Sequence, residues 1–183
     1  DRVTVVAPDR PGLFCRVAGV LALHGLDVRA ATIAGEDGMA VEVFDVETPF
    51  GAPSRDNLEE DLTRAVAGRL ALDARITERA RTYGASRRPV AAGDPGAARV
   101  HFDNDASATA TVVEVRAPDR IGVLYRITRA LSECDLDVRT ARVVTLGAEV
   151  VAAFYVTATN NGKITDEAEL REIEHAVLAE LAR

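Results

Sequence analysis

Two stretches of the chain, 110 positions apart, share one pattern of apolar and polar residues. Val113 and Val115 alternate with charged neighbours, and Val3 and Val5 hold the matching places, so each stretch predicts a half-buried strand. Apolar residues at helical spacing then follow, at Leu13, Val17, Val20 and Leu21 and again at Val123, Ile127, Ala130 and Leu131. Each stretch therefore predicts a strand and an amphipathic helix, with Pro11 as a first helical residue of the earlier one.

A predicted hairpin and a second helix complete each stretch. The β-rich runs are residues 28–34 and 39–47, joined at Asp37-Gly38, and residues 138–145 and 149–157, joined at Gly147. Helical patterns begin near Ser54 and near Thr165. The order in both stretches is strand, helix, strand, strand, helix.

This order comes from an internal duplication. Residues 3–48 align with residues 113–158 without a gap, with 17 identical pairs among 46. The pattern predicts an α+β protein of two tandem ferredoxin-like domains, βαββαβ, each an antiparallel sheet with helices on one face. We assign residues 1–105 to the first domain, with a connector at 73–98 and a short last strand at 99–103, and residues 108–183 to the second. The second copy lacks a clear fourth strand.

The most similar part of the two copies is a turn, "APDRPG" from Ala7 and "APDRIG" from Ala117. Each turn lies between a strand and a helix, whose first backbone N–H groups lack intrahelical partners and attract a carboxylate. Gly12 and Gly122 allow a ligand to approach the backbone, and Asp9 and Asp119 place an anion beside these donors.

A second acid heads the next strand of each copy, in the sequence "LDVR". It is Asp27 in the first copy and Asp137 in the second. Carboxylates for an ammonium group beside donors for a carboxylate suit a free α-amino acid. Spacing alone also fits a purely structural turn that caps a helix, so the residues by themselves leave both interpretations open.

The quoted turns, together with "LALHGLDVRAA" and "ARVVTLGAEVVAAFYV", resemble ACT domains, regulatory modules that bind amino acids between paired copies. The resemblance covers both repeats. It implies that Asp9 and Asp27, or Asp119 and Asp137, receive the amino group and that loop amides receive the carboxylate. The implied ligand-binding residues are Asp9, Arg10, Gly12, Leu13, Asp27, Asp119, Arg120, Gly122, Val123 and Asp137.

More narrowly, "VHFDNDASATATVVEVRAPDRIGVLYRI" resembles the C-terminal tandem ACT region of the bifunctional PII uridylyltransferase and uridylyl-removing enzymes. This resemblance implies a glutamine-sensing module in nitrogen regulation, with the PII signalling protein as a partner of the parent enzyme. The family's nucleotidyltransferase and hydrolase parts have no counterpart in this sequence. We therefore expect no catalytic residues, no metal and no cofactor, and a segment excised from a longer protein.

Composition restricts the other possibilities. The 183 residues are 48% hydrophobic, and the net charge of −7 argues against nucleic-acid binding, which depends on contacts to phosphates. No apolar run approaches the roughly 20 residues of a membrane span. Two cysteines, Cys15 and Cys134, without the spacing of a disulfide framework, favour the cytoplasm.

Three hypotheses follow. In the first, the copies pack side by side, or in a homodimer, and an amino acid binds where the turn of one copy meets the second strand of another. In the second, the copies form an oligomerisation scaffold without a ligand. The third keeps the ACT fold but assigns it to another amino-acid-responsive enzyme or regulator.

Overall fold

The structure is a computed structural model that describes residues 1–49, 51–83 and 96–183. Its first repeat contains β1 (Arg2–Pro8), α1 (Leu13–Leu23), β2 (Asp27–Glu36), β3 (Met39–Glu47), α2 (Arg55–Val66) and α3 (Leu72–Tyr83). Its second part contains β4 (Arg99–Asp103), β5 (Thr111–Pro118), α4 (Val123–Glu133), β6 (Asp137–Leu146), β7 (Glu149–Thr157) and α5 (Glu167–Leu181). Both predicted hairpins and the predicted α+β fold are confirmed.

The two repeats share one antiparallel sheet. Its seven strands lie in the order β1-β3-β2-β6-β7-β5-β4, so the repeats pack side by side, which is one of the two arrangements that the first hypothesis allows. The seam is the pairing of β2 with β6, in which Ala30 lies opposite Arg142, Ala31 opposite Ala141 and Thr32 opposite Thr140.

The core lies between the helices and one face of this sheet. Phe44 and Phe154 occupy the same position in the two repeats and are both fully buried. In each repeat the first helix presents its apolar stripe to them, through residues such as Leu21 and Leu131. Burial of these large side chains is the main favourable contribution to the fold, at about 25 cal/mol per Å² of apolar surface.

The strand at 99–103 belongs to the second repeat, so its predicted assignment to the first is wrong. It runs antiparallel to β5, from Arg99 opposite Arg116 to Asp103 opposite Val112. In a ferredoxin-like sheet the fourth strand lies beside the first, and β4 fills this place from the N-terminal side of its repeat. Within the described part of the chain, β1 forms the other edge of the sheet.

The predicted connector is partly helical. Helix α3 starts at Leu72 and buries Leu72 and Ile76 against the packed first helices of the two repeats. The interpretation of residues 73–98 as mainly a connector is therefore wrong for residues 73–83, where an apolar stripe has a surface to cover. The stretch from 84 to 95, with two of the five connector arginines, lies outside the described residues.

Candidate functional site

The repeated turns have the same backbone geometry. Gly12 (φ 77°) and Gly122 (φ 81°) adopt the left-handed conformation, and the helices begin one residue later, at Leu13 and Val123. The prediction that Pro11 is a first helical residue is therefore wrong. The left-handed conformation is unfavourable for residues other than glycine, since their Cβ approaches the backbone too closely.

These two helices start without a side-chain cap, whereas α2 and α5 are capped by Ser54 and Asp166. The amides of Leu13 and Val123 donate to the carbonyl oxygens of Arg10 and Arg120, at 3.1 and 3.0 Å. They are thus not among the unpaired donors that the sequence led us to expect. The next amides in each first turn lack an intrahelical partner by the geometry of every α-helix.

Each turn is tied to its own repeat and faces the other. The amide of Asp9 donates to the carbonyl of Gly38 at 2.9 Å, and that of Asp119 donates to the carbonyl of Ala148 at 2.8 Å. Because β2 pairs with β6, the turn of one repeat lies beside the beginning of the second strand of the other.

Two cavities result from this arrangement. The larger has a volume of about 360 Å³, and its walls include Asp27 from the first repeat and Asp119, Arg120, Gly122 and Val123 from the second. The smaller has a volume of about 50 Å³, and its walls include Asp9, Arg10, Gly12 and Leu13 from the first repeat and Asp137 from the second. The ten residues singled out in the sequence thus come together in two groups of five.

Helix α3 makes the two cavities different, which the sequence did not reveal. Arg79 and Tyr83 line only the larger cavity, and the Arg79 guanidinium lies over the Tyr83 ring, 5.1 Å from its centroid. Ile76 covers the adjacent turn so closely that a Cβ on Gly122 would lie 2.4 Å from its Cγ2. The helical spacing of Ile76, Arg79 and Tyr83 was the available signal, but it does not say which turn the helix covers.

A β-bulge aims an arginine beside the larger cavity. The pairing of β2 with β3 slips between Val28 and Ala30, so Arg29 is the extra residue, and Arg139 has the same place in β6. Arg29 donates to Glu47 at 2.6 Å and to the Thr145 hydroxyl at 3.3 Å.

The electrostatic surroundings of Arg29 link it to both acids of the larger cavity. The hydrogen bond that Arg29 donates to Glu47 is the main cause that raises the pKa of Arg29, and the charges of Asp27 and Asp119 raise it further. The Arg29 guanidinium in turn lowers the pKa of Glu47. A permanent cation therefore lies close to the two carboxylates that line this cavity.

The smaller cavity contains an acid that is not among the residues predicted from the sequence. Glu42 in β3 lies on the buried face of the sheet and is 2% exposed. Burial raises the pKa of its carboxyl to about 8, and the charge of Asp9 adds to this shift. Its signal in the sequence was an acid at an inward position of an alternating strand, where the other repeat has Ala152.

The rest of the described chain offers little other chemistry. Among residues 1–49, 51–83 and 96–183, no three His, Cys, Asp or Glu side chains are grouped so that they could hold a metal ion. Within the same ranges, no helix has the length and apolar character needed to cross a membrane. Burial raises the pKa of the Cys15 thiol to about 11, which disfavours the reactive thiolate.

Comparison with protein families agrees with the fold and the repeated turns. The ACT domain family matches residues 2–62, and the family described as ACR9-like, ACT-like domain matches residues 99–183. The chain is thus a pair of ACT-type domains, a regulatory unit rather than a catalytic one.

The chain is also similar to proteins named bifunctional uridylyltransferase/uridylyl-removing enzyme. It is 36% identical over 186 residues to that of Erythrobacter litoralis, 38% over 186 residues to that of Novosphingobium aromaticivorans, and 42% over 161 residues to that of Streptomyces coelicolor. These alignments cover 96%, 96% and 84% of the chain but 19% of each relative. The chain belongs to this family and corresponds to its ACT regulatory domains, about a fifth of the relatives' length.

Proposed function

We propose that this tandem ACT unit senses an amino acid, glutamine, and that the larger cavity between its repeats is the binding site. The observation that carries the proposal is the meeting of Asp119 and the Gly122 turn of one repeat with Asp27 of the other around one cavity. Its volume of about 360 Å³ lies in the range of small-molecule sites, about 300 to 1,000 Å³.

The charges of this cavity suit a zwitterion. Asp27 and Asp119 can accept hydrogen bonds from an α-ammonium group. The carboxylate has two kinds of donor nearby, the first-turn amides of α4 and the guanidinium groups of Arg79 and Arg120. Apolar wall residues, such as Val143 and Val150, leave room for the side chain of the ligand.

The pairing of β2 with β6 offers a way for amino-acid binding to affect the arrangement of the two repeats. A ligand held by residues of both repeats stabilises the arrangement in which β2 and β6 are paired, because it binds this arrangement better than any other. We further propose that the parent enzyme uses this bias to balance uridylylation and de-uridylylation of the PII signalling protein in the cytoplasm.

Calorimetric titration of the chain with glutamine tests the binding step, with glutamate, serine and glycine as competitors. We expect saturable binding selective for glutamine that is weakened at least about tenfold by Asp27→Asn or Asp119→Asn, since each removes one charged acceptor worth about 1.5 to 3 kcal/mol. Asp37→Asn, in the exposed β2–β3 turn, is the matched control and should bind as the unaltered chain does.

The three hypotheses drawn from the sequence predict different outcomes of these binding experiments. The double variant Asp9→Ala and Asp119→Ala, one substitution in each turn, should abolish stabilisation by the ligand while the fold persists. If none of the four amino acids binds at millimolar concentration, and light scattering shows association without a ligand, the chain is an oligomerisation scaffold. Selectivity for another amino acid would instead assign the unit to a different regulatory signal.

A further inference from the structure

Glu42 is an acid in a position that the fold normally gives to an apolar residue. It lies on the helix-facing side of β3 between Ala40 and Phe44, both buried, and it is only 2% exposed. Its counterpart in the second repeat, Ala152, is fully buried. The fold therefore does not require a carboxyl group at this position.

One oxygen of the Glu42 carboxyl also lacks the partner that a buried polar atom normally has. This Oε2 atom is buried and has no hydrogen-bond partner among the described residues. Burying such a group without a partner is unfavourable, so each case in a folded protein needs an explanation. A bound cationic donor would supply one.

The pocket around Glu42 is small and polar. Its volume of about 50 Å³ exceeds the roughly 10 to 15 Å³ that a cavity needs to hold one water molecule but is far below the about 300 Å³ of small-molecule sites, so it admits a small polar group and not a whole amino acid. The charged or titratable groups that line it with Glu42 are Asp9, Arg10, Cys15, Asp137 and Arg139. The hydroxyl groups of Thr128 and Ser132 lie in the same wall and offer neutral acceptors.

We propose that this pocket binds a primary ammonium group, with Glu42 as its counter-ion and Asp9 as a second acceptor. The group is either a free ammonium ion or the α-ammonium of an amino acid whose remainder lies outside the pocket. In the second form the inference rests on the proposed amino-acid binding, whereas in the first it does not.

The surroundings favour an ammonium group over a metal ion. Ca²⁺ requires six to eight oxygen ligands, and Mg²⁺ requires an octahedral shell. Two guanidinium groups, those of Arg10 and Arg139, line the same small pocket and oppose a divalent charge. An ammonium group carries a single charge, and its N–H donors match the carboxylate and hydroxyl acceptors.

Binding to this pocket must release a proton. In the free protein near neutral pH the Glu42 carboxyl is mainly protonated, because its pKa is about 8. The Cys15 thiol, with its pKa of about 11, keeps its proton in this range. An entering ammonium group therefore takes the place of the carboxyl proton, which leaves to solvent. Below the pKa of Glu42, the affinity for ammonium consequently increases about tenfold for each unit by which the pH is raised.

The test is a titration of the chain with ammonium chloride and methylammonium chloride near pH 7, in two buffers of different ionisation enthalpy. We expect saturable binding with release of about one proton per ligand. Glu42→Gln keeps the shape and removes the charge, and it should weaken binding at least about tenfold and abolish proton release. Glu36→Gln, at an exposed position of β2, should change neither quantity.

The remaining measurements make the outcomes distinct. Equal binding of ammonium by Glu42→Gln and the unaltered chain, or equal binding of potassium chloride and ammonium chloride, would overturn the proposal. Glu42→Ala, which reproduces the second repeat, replaces Glu42→Gln if the latter fails to fold.

Glutamine titration of the Asp27→Asn and Asp119→Asn double variant identifies the source of the group. Glutamine binding that depends on Glu42 and releases a proton points to the α-ammonium of an amino acid. Binding of ammonium and methylammonium alone points to the free ion. Ammonium binding that depends on Glu42, without any glutamine binding to the unaltered chain, overturns the proposed glutamine sensing and leaves this inference standing.

Discussion

Ala31 in β2 lies opposite Ala141 in β6, and these two residues hold the same position in the two repeats. Ala30 accordingly lies opposite the counterpart of Thr32, and Thr32 opposite the counterpart of Ala30. The repeats are thus related by a local twofold axis through the Ala31–Ala141 pair, as the subunits of an isologous dimer are. The axis places each Pro-Asp-Arg-x-Gly turn beside the second strand of the other repeat.

Ala31 and Ala141 are both buried on the helix-facing side of the sheet, and a larger side chain there would crowd a close-packed interior. We expect Ala31→Leu to reduce the free energy of unfolding by about 1 to 3 kcal/mol through overpacking. Thermal unfolding followed by circular dichroism measures the loss. Ala34→Leu, at an exposed position of the same strand, is the control, and an equal loss in both variants would contradict a tight seam.

Gly122 combines a left-handed backbone with a close neighbour. Gly122→Ala should destabilise the protein by more than Gly147→Ala. Both carry the strain of a positive φ, about 1 to 2 kcal/mol, but only Gly122 has Ile76 in the way, because nothing lies within 4 Å of a Cβ on Gly147.

Urea unfolding of the Gly122→Ala and Ile76→Ala single variants and of their double variant measures this contact. We expect the double variant to be more stable than the sum of the single effects predicts, by about 0.5 to 3 kcal/mol. Additive effects would mean that α3 does not press on the turn.

Arg129 in α4 joins acids of three helices. It lies 2.8 Å from Asp73, 2.9 Å from Glu133 and 3.2 Å from Glu180, whose side chain is only 7% exposed. Arg129→Leu should cost about 3 to 5 kcal/mol, because it leaves the Glu180 carboxylate buried beside fewer cations. Arg2→Leu breaks an exposed pair with Asp45 and should cost much less, because water screens both charges. Chemical unfolding compares the two, and similar costs would refute the buried role of Arg129.

Glu42 makes the stability depend on pH. Its pKa is about 8 in the folded protein and about 4.3 in an unfolded chain, so between these values the folded state binds more protons. Stability is therefore highest at low pH with respect to this group and falls as the pH rises toward 8.

Glu42→Gln cannot ionise and should lack this fall. Relative to the unaltered chain, it should gain a few kcal/mol between about pH 5 and pH 8, because each unit of pKa shift corresponds to 1.36 kcal/mol. Urea unfolding of both proteins across this range checks the difference. Parallel pH profiles would show that Glu42 ionises normally.

The first repeat has a groove where the second repeat holds its fourth strand. β1 forms a sheet edge, Val6 on it is 62% exposed, and a groove of about 920 Å³ runs between β1 and α2, lined by Leu58 and Leu62. A copy of residues 99–110 fused directly before Asp1 reproduces the spacing of β4 and β5. This fusion should pair with β1 and raise the melting temperature.

The control for this fusion has lysine in place of the two apolar residues of the added strand, the copies of Val100 and Phe102. It should leave the melting temperature unchanged, because the added segment then has no apolar face for the groove. Equal melting temperatures of the two fusions and the unaltered chain would show that β1 does not accept a strand.

The duplicated pattern alone was enough to predict most of the fold. Alternation in β3 and β7 and helical spacing in α1 and α4 are local properties, and the sequence states them twice, so these elements could be predicted from it. The ten candidate site residues followed instead from the resemblance of the two turns to ACT domains. Only the tertiary structure decided which repeat each element serves. β4 pairs with β5, α3 covers the Gly122 turn, and Asp27 meets Asp119, because strand pairing and packing join residues that no local pattern connects. Burial likewise decided the raised pKa of Glu42, since the same acid at an exposed position of a strand would not be desolvated.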